Sequence, residues 1–263
     1  MILQKEILKR FNVTTSNLLL LQFIMKHTIS EILQATEHRT WKYPDSKWTY
    51  YQEWNNAVFF HWKINPNLLL HYIPDGLSLD IIDGYAWVSL VIFRIRPRLL
   101  PSFAPISNFE EINLRTYVTK NDKPGVYFLS IEAEKLLSSI IAKSLSGLPY
   151  QKSNIKRGRN NILSHHPNKP FTINATYAIG NSMQTKTALD IFLTERYCLY
   201  IEEAAHINRF EIHHLPWDIQ EVTFDTLHID YNLGALHLAS TPDLMHYSKG
   251  VQVTAWGKER LPD

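Results

Sequence analysis

Residues 77–93 read Leu-Ser-Leu-Asp-Ile-Ile-Asp-Gly-Tyr-Ala-Trp-Val-Ser-Leu-Val-Ile-Phe. Asp83-Gly84 sits between two apolar runs, and Asp-Gly is a strong short-range signal for a two-residue hairpin turn. Leu77–Ile82 is therefore expected as a strand and Tyr85–Phe93 as its antiparallel return. Working upstream, Ala57–Trp62 reads as a strand, and Asn65-Pro66 opens a helix with Asn as cap and Pro in the first helical position. That helix runs from Asn67 to Ile73 and ends at Pro74. Downstream, strands are expected at Asn113–Thr119 and Val126–Glu132, joined by a turn across Lys120–Gly125. Glu134–Ser146 has helical spacing and stops at Gly147. Strands follow near 150–157, 160–165 and 171–179, then a short helix at Ala188–Thr194 introduced by Thr187-Ala-Leu-Asp190. Arg196–Ile201, Ile207–His213, Val222–Ile229 and Val251–Trp256 complete the strands.

About ten short strands with two or three helices predict an α+β, mainly β domain around a closed or nearly closed sheet, since closure removes exposed edges. No internal repeat or Gly/Ser linker divides it. Residues 1–30, with charges at Lys5, Glu6, Lys9 and Arg10 followed by a leucine run, are expected as an N-terminal helical extension to a domain over 31–263.

The bulk numbers exclude several classes. The 263 residues carry 27 basic and 25 acidic side chains, a net charge of +2, which gives no footing for a nucleic-acid partner. The run Leu18–Met25 is far shorter than the roughly 20 residues a membrane-spanning helix needs. Cys198 is the single cysteine, so no intrachain disulfide can form, and no signal-cleavage pattern is evident; a cytoplasmic location is expected. With one cysteine and no second cluster at ligand spacing, neither a metal nor another cofactor is expected. The 12% aromatic content suits strands and concave sites lined by flat side chains.

Several stretches taken in order carry a resemblance. They are His38–Trp41, Phe59–Trp62, Pro74–Leu77 with Asp80, Asp83–Trp87, Asn113–Val118, Gly125–Ser130, Leu148–Tyr150, Phe192–Tyr200 and Glu211–Trp217. Over about residues 36 to 257 the chain resembles the YqjF-like uncharacterised family, whose fold is similar to acetoacetate decarboxylase. The resemblance implies a cone-shaped, partly open β-barrel with peripheral helices and an internal pocket. Homo-oligomers are common in that superfamily, so self-association is an open expectation. Acetoacetate decarboxylases use a Schiff-base lysine in a Gly-aromatic-Pro-Lys-Lys stretch. Here the counterpart is Gly147-Leu-Pro-Tyr-Gln-Lys152, and Tyr150 stands where that lysine would follow the proline. Lys152 lies two residues on, about 7 Å further along the same strand face. The decarboxylase glutamate falls near Asn113-Leu-Arg115, where this chain offers Arg115. Losing both amine and acid argues against acetoacetate decarboxylation. The closer relatives' Tyr-x-Ser-x-Arg is here Ile162-Leu-Ser-His-His166, so an arginine at the site is missing.

The residues themselves raise one question. Glu195 and Arg196 interrupt the aromatic run Phe192–Tyr200. Arg196 is expected to reach solvent or pair locally. Glu195, between a helix and an aromatic strand, needs a partner, because an unpaired buried carboxylate costs several kcal/mol or becomes protonated. Arg115 is the candidate partner, as a guanidinium projecting inward that grips a carboxylate of Glu195 or of a ligand in two-pronged fashion; an outward-facing strand arginine is the other reading. His61, between Phe60 and Trp62, is either a satisfied structural histidine or a proton donor at the pocket wall. In His213-His214 neighbouring strand residues face opposite ways, so at most one looks inward. The expected ligand contacts are Arg115, Glu195, Tyr150, His61, Tyr117 and His213, with Lys152, Glu195 and His61 as catalytic candidates if chemistry occurs. The expected function is binding of a small organic acid or related metabolite in an aromatic-lined pocket. The alternatives are a lyase acting on a small carbonyl acid with Lys152 as its amine, and a non-catalytic scaffold with a filled barrel.

Overall fold

The computed structural model describes residues 29–97, 108–135, 148, 150–239 and 241–262. Most of the N-terminal extension and most of the helix expected over Glu134–Ser146 lie outside them. The chain divides into two compact units, residues 1–40 and 41–263. In the first, residues 29–34 are helical and the Ala35 amide closes the turn onto the Glu31 and Ile32 carbonyls.

The second unit is built on one sheet. Its elements are β1 (Tyr50–Ile64), α1 (Pro66–Leu69) with a 3-10 turn at Leu70–Tyr72, β2 (Ser78–Leu79), β3 (Ala86–Pro97), β4 (Phe109–Lys120), β5 (Lys123–Ala133), β6 (Gln151–Lys152), β7 (Asn154–Arg157), β8 (Asn161–His165) and β9 (Phe171–Ser182). Then come α2 (Ala188–Thr194), β10 (Cys198–Glu203), β11 (His206–His213), β12 (Ile219–Leu233), β13 (Leu236–Leu238), β14 (Leu244–Ala255) and β15 (Glu259–Arg260). Local chemistry places several boundaries. The Asn65 side chain accepts from the Asn67 amide with Pro66 at the helix start. Asp83 and Gly84 both take positive φ, 51° and 79°, as a type I′ turn requires, but only the single bridge Ile82–Tyr85 closes it: the strand expected over Leu77–Ile82 shrinks to β2, which pairs with β4 and not with β3. The β4–β5 turn is tighter than expected: Asn121 and Asp122, at φ 52° and 57°, make it alone, and Lys123-Pro124-Gly125 already belong to β5. Asn and Asp tolerate that left-handed conformation better than other side chains do.

The sheet returns on itself. Neighbouring strands run β11-β10-β5-β4-β3-β1-β14, and β14 pairs back onto β11 through Ile212↔Ala255 and His213↔Thr254. These strands form a ring. From β14 the sheet continues outward through β12, β9, β8 and β7. β1, β3 and β4 are thus buried on both faces. One face carries Val58, Phe60, Val88, Leu90, Ile112 and Leu114 into the main core, against Ile155, Ile173 and Tyr231. The other face looks into the ring. Double burial explains why Ala86–Phe93 is buried at every position rather than alternating.

A bulge in β1 shapes the ring's interior. The β1–β3 register slips between Asn55 and Val58, with Asn56 at φ 54°. Opposite it on β14, Gly250 has φ 133°, and a Cβ there would sit 2.1 Å from the Trp54 carbonyl oxygen. One extra residue reverses which face each later side chain meets. Trp54 and Phe59 are an odd number apart in sequence, yet both face the same cavity.

Candidate functional site

The ring encloses a cavity of about 160 Å³. Every strand of the ring contributes to its wall, from Phe59 on β1 to Ala255 on β14. The lining is mostly apolar and aromatic, with Trp54, Phe93, Phe109, Phe128 and Trp217 among it. The space is smaller than the several hundred Å³ of a drug-sized ligand site and matches a compact metabolite.

The polar part of the wall comes from three places. On β4, strand alternation sends Glu111, Asn113 and Arg115 into the cavity, while Ile112 and Leu114 face the core. The Tyr150 hydroxyl donates to Glu111 Oε2 at 2.6 Å, and Asn113 Nδ2 donates to Oε1 at 3.1 Å. Burial raises the Glu111 carboxyl to a pKa of about 7, outweighing both hydrogen bonds and the Arg115 charge, which act the other way. Burial and the Glu111 charge push the Tyr150 phenol well above its usual range. Glu111 forms no ion pair with any cation among the described residues. Its neighbour Glu110, on the opposite face, accepts from Arg94 at 2.6 Å and from Arg157 at 3.5 Å.

The guanidinium pair is set by α2. A capping box starts this helix: the Thr187 hydroxyl accepts from the Asp190 amide, and the Asp190 carboxylate accepts from the Thr187 amide. At its other end the carbonyls point at cations, as the helix dipole favours. Arg196 Nε donates to Phe192 O at 2.6 Å, and Arg115 Nη2 donates to Leu193 O at 3.3 Å. Arg196 Nη1 pairs with Asp80 at 2.5 Å, and its guanidinium lies 4.1 Å from the Phe192 ring centre. Burial lowers the Arg196 pKa, as does the nearby Arg115 charge, while Asp80 raises it. Two buried donors of this pair have no protein acceptor: Arg115 Nε and Arg196 Nη2. Both residues line the cavity.

The adjacent charges of Phe192–Tyr200 therefore part company. Glu195 does not reach Arg115. As the residue closing α2, at φ −95° and ψ 79°, it turns away and accepts from Lys186 at 2.5 Å, Tyr197 at 2.6 Å and the Trp217 amide at 3.1 Å. Arg196, expected to reach solvent or pair locally, is 6% exposed and faces the cavity. Of the other sequence candidates, Arg115 and Tyr150 line the cavity, whereas Glu195, His61, Tyr117 and His213 do not. His214 lines it in place of His213. Lys152 is exposed on β6, and among the described residues the lining holds no lysine. Sequence reasoning missed Glu111. It lies two steps of strand alternation back from Arg115, so an acid does stand in the wall where β4 appeared to lack one.

His61 and Tyr117 belong to a separate buried chain. His246 donates to Asp190 at 3.0 Å, its other nitrogen meets His61 at 3.2 Å, and His61 Nδ1 meets Ser89 Oγ at 2.6 Å. Ser89 meets the Tyr117 hydroxyl at 2.5 Å, and Tyr117 also donates to Leu193 O at 2.8 Å. Burial lowers the pKa of both histidines, that of His61 well below the usual value.

The model of the DUF2071 family, uncharacterised conserved proteins, matches residues 51–252. The chain belongs to this family. YqjF of Bacillus subtilis (strain 168) is 33% identical to it, over 81% of this chain and 93% of the relative. Solved structures add the fold. The enduracididine biosynthesis enzyme MppR complexed with pyruvate superposes with a TM-score of 0.57 at 13% identity, covering 83% of this chain and 93% of MppR. Acetoacetate decarboxylase from Legionella pneumophila superposes with a TM-score of 0.52 at 12% identity, covering 86% and 94%. The fold is acetoacetate-decarboxylase-like and mainly β, as the sequence resemblance implied. Among the described residues, no helix is long and apolar enough to cross a membrane, and no group of three or more His, Cys, Asp or Glu side chains is placed to hold a metal ion.

Proposed function

We propose that this protein binds a small organic acid in the ring cavity, with Arg115 and Arg196 gripping its carboxylate and the aromatic wall enclosing its short carbon body. One observation carries this reading: Arg115 and Arg196 both line the cavity, and each keeps one buried nitrogen, Nε and Nη2, with no protein acceptor. An unsatisfied buried donor costs about 1–3 kcal/mol, and more when charged, so two on neighbouring guanidiniums favour an anionic guest. The complex of the fold relative MppR with pyruvate is a precedent for a guest of this size. The amine-dependent alternative finds no support among the described residues, where Lys152 is exposed and no lysine lines the cavity. A filled scaffold fits poorly with about 160 Å³ of enclosed space. A cytoplasmic location belongs to the same reading, and self-association is left open by it.

A thermal-shift panel tests the reading. Small mono- and dicarboxylates are compared with their primary amides at equal concentration. An acid present at 100 times its dissociation constant adds about 2.7 kcal/mol of stability. Stabilisation by acids but not by amides is the expected outcome. Equal shifts from both, or none from any acid, contradict it.

A further inference from the structure

We propose that Glu111 and Tyr150 form a proton-transfer pair that enolises a small carbonyl acid held in the cavity, without any protein amine. This rests on the carboxylate-binding reading above and adds a reaction to it.

The two adjacent acids of β4 show why Glu111 is a reacting group and Glu110 is not. Both are buried, at 3% exposure each. Glu110 is neutralised by Arg94 and Arg157 on the far face of the strand. Glu111 has only neutral donors, Tyr150 and Asn113, although Arg115 lies four residues along the strand on the same face. A buried carboxyl without a cation titrates close to neutrality, where it can accept and return a proton with little bias. It also lines the cavity that Arg115 and Arg196 line, each of these with one nitrogen lacking an acceptor, so a bound acid and this carboxyl share one space.

The step balances within the site. The Glu111 carboxylate removes a proton from the carbon beside the substrate carbonyl. The C–H electron pair becomes the new C=C bond, and the carbonyl π pair moves to oxygen. As Glu111 takes up the proton, the Tyr150 hydroxyl is released from donating to it and turns to the developing oxyanion. Returning the proton from Glu111 to carbon regenerates the ketone; alternatively Tyr150 gives its proton to oxygen to form the enol, and the proton held by Glu111 passes to the Tyr150 phenolate 2.6 Å away, restoring both groups. The reaction is an isomerisation and consumes no co-reactant.

Deuterium exchange tests this directly. Pyruvate and 2-oxobutyrate are incubated with the full-length protein in D2O, and loss of the C3 proton signal is followed by NMR. Saturation-transfer difference on the same samples reports binding. The expected result is enzyme-dependent exchange of a bound acid, reduced at least 100-fold in Glu111→Gln and more modestly in Tyr150→Phe while binding persists, and unchanged in Lys152→Ala. Binding without exchange overturns this proposal and leaves the binding reading standing. Exchange of equal rate in Glu111→Gln, or exchange lost in Lys152→Ala, also overturns it. Absence of binding by both acids overturns this proposal, while the binding reading falls only if no acid of the wider panel binds. Should Glu111→Gln not fold, wild-type exchange and its response to Tyr150→Phe decide the matter, an unchanged rate in Tyr150→Phe counting against the pair.

Discussion

The chain Asp190–His246–His61–Ser89–Tyr117 and the pair Arg115–Arg196 are both buried polar systems, and both lean on α2. They end differently. Along the chain each side chain meets the next within 3.2 Å, and the far end reaches Leu193 O. None of its members lines the cavity. The guanidinium pair uses α2 carbonyls and Asp80 for part of its donors, then stops with two nitrogens unpartnered on residues that line the cavity. A buried network that satisfies itself holds the fold together. One that stops short at an enclosed space is arranged for something else. On that comparison His61 and Tyr117 are fasteners for α2, and Arg115, Arg196 and Glu111 are the site.

The largest expected effect comes from cutting the closed network. Asp190→Ala removes the acceptor for His246 and half of the capping box of α2. A cap costs about 1 kcal/mol and a buried unpaired donor about 1–3 kcal/mol, so a loss of about 3 kcal/mol in urea denaturation is expected, with carboxylate binding lost as well because α2 orients both arginines. A loss below about 1 kcal/mol would place the network outside the fold's support.

Arg115→Gln gives the opposite pattern. It removes a charged donor from the wall while touching only one carbonyl, at 3.3 Å. Stability is expected to change by less than about 1 kcal/mol. Affinity for a carboxylate should fall about 30-fold by calorimetry, equivalent to about 2 kcal/mol at 1.4 kcal/mol per tenfold.

Glu111→Gln separates site from scaffold more finely. Burial raises the pKa of this carboxyl to about 7, so the fold disfavours its ionised form. That cost is small near pH 5, where the folded carboxyl is protonated, and is carried in full by pH 8. Glu111→Gln is therefore expected to be neutral to stabilising by about 1 kcal/mol at pH 8, with the gain shrinking at pH 5; such gains are common at functional positions. Equal destabilisation at both pH values would make Glu111 a structural residue.

A smaller effect follows at the ligand. The groups facing Glu111 in the cavity are Tyr150, Asn113 and Arg115. As Glu111 ionises through about pH 7, its charge opposes a bound carboxylate. Affinity is expected to weaken a few-fold between pH 6 and pH 8 in the wild type and to stay flat in Glu111→Gln.

Much of this was legible in the residues because local chemistry decides it. Asp83-Gly84 set the turn before β3, though the strand expected ahead of it pairs with β4 instead, and Thr187 with Asp190 set the start of α2. The residues alone left Arg115 facing in or out, and the resemblance favoured inward, which is where β4 puts it. What stayed hidden depends on distant partners. Nothing near Ile212 or Ala255 announces that β14 pairs back onto β11 and closes the ring. The bulge after Asn55 reverses strand parity, so counting by twos from Trp54 places Phe59 on the wrong face. Glu111 hid beside Glu110, two adjacent acids of which alternation can admit only one; stepping back by twos from Arg115 would have selected it. The Glu195–Arg115 pairing failed because consecutive residues at a helix end diverge, and sequence proximity to aromatics does not say which of two charges turns inward.

The central claim is that the two leftover guanidinium donors exist for a guest carboxylate. A crystal structure of the protein soaked with pyruvate tests it most directly. The account predicts the carboxylate within about 3.2 Å of both Arg115 Nε and Arg196 Nη2, with the carbon chain against the aromatic wall. Side chains filling the ring, or a pyruvate lying elsewhere with both donors turned to protein carbonyls, would contradict it.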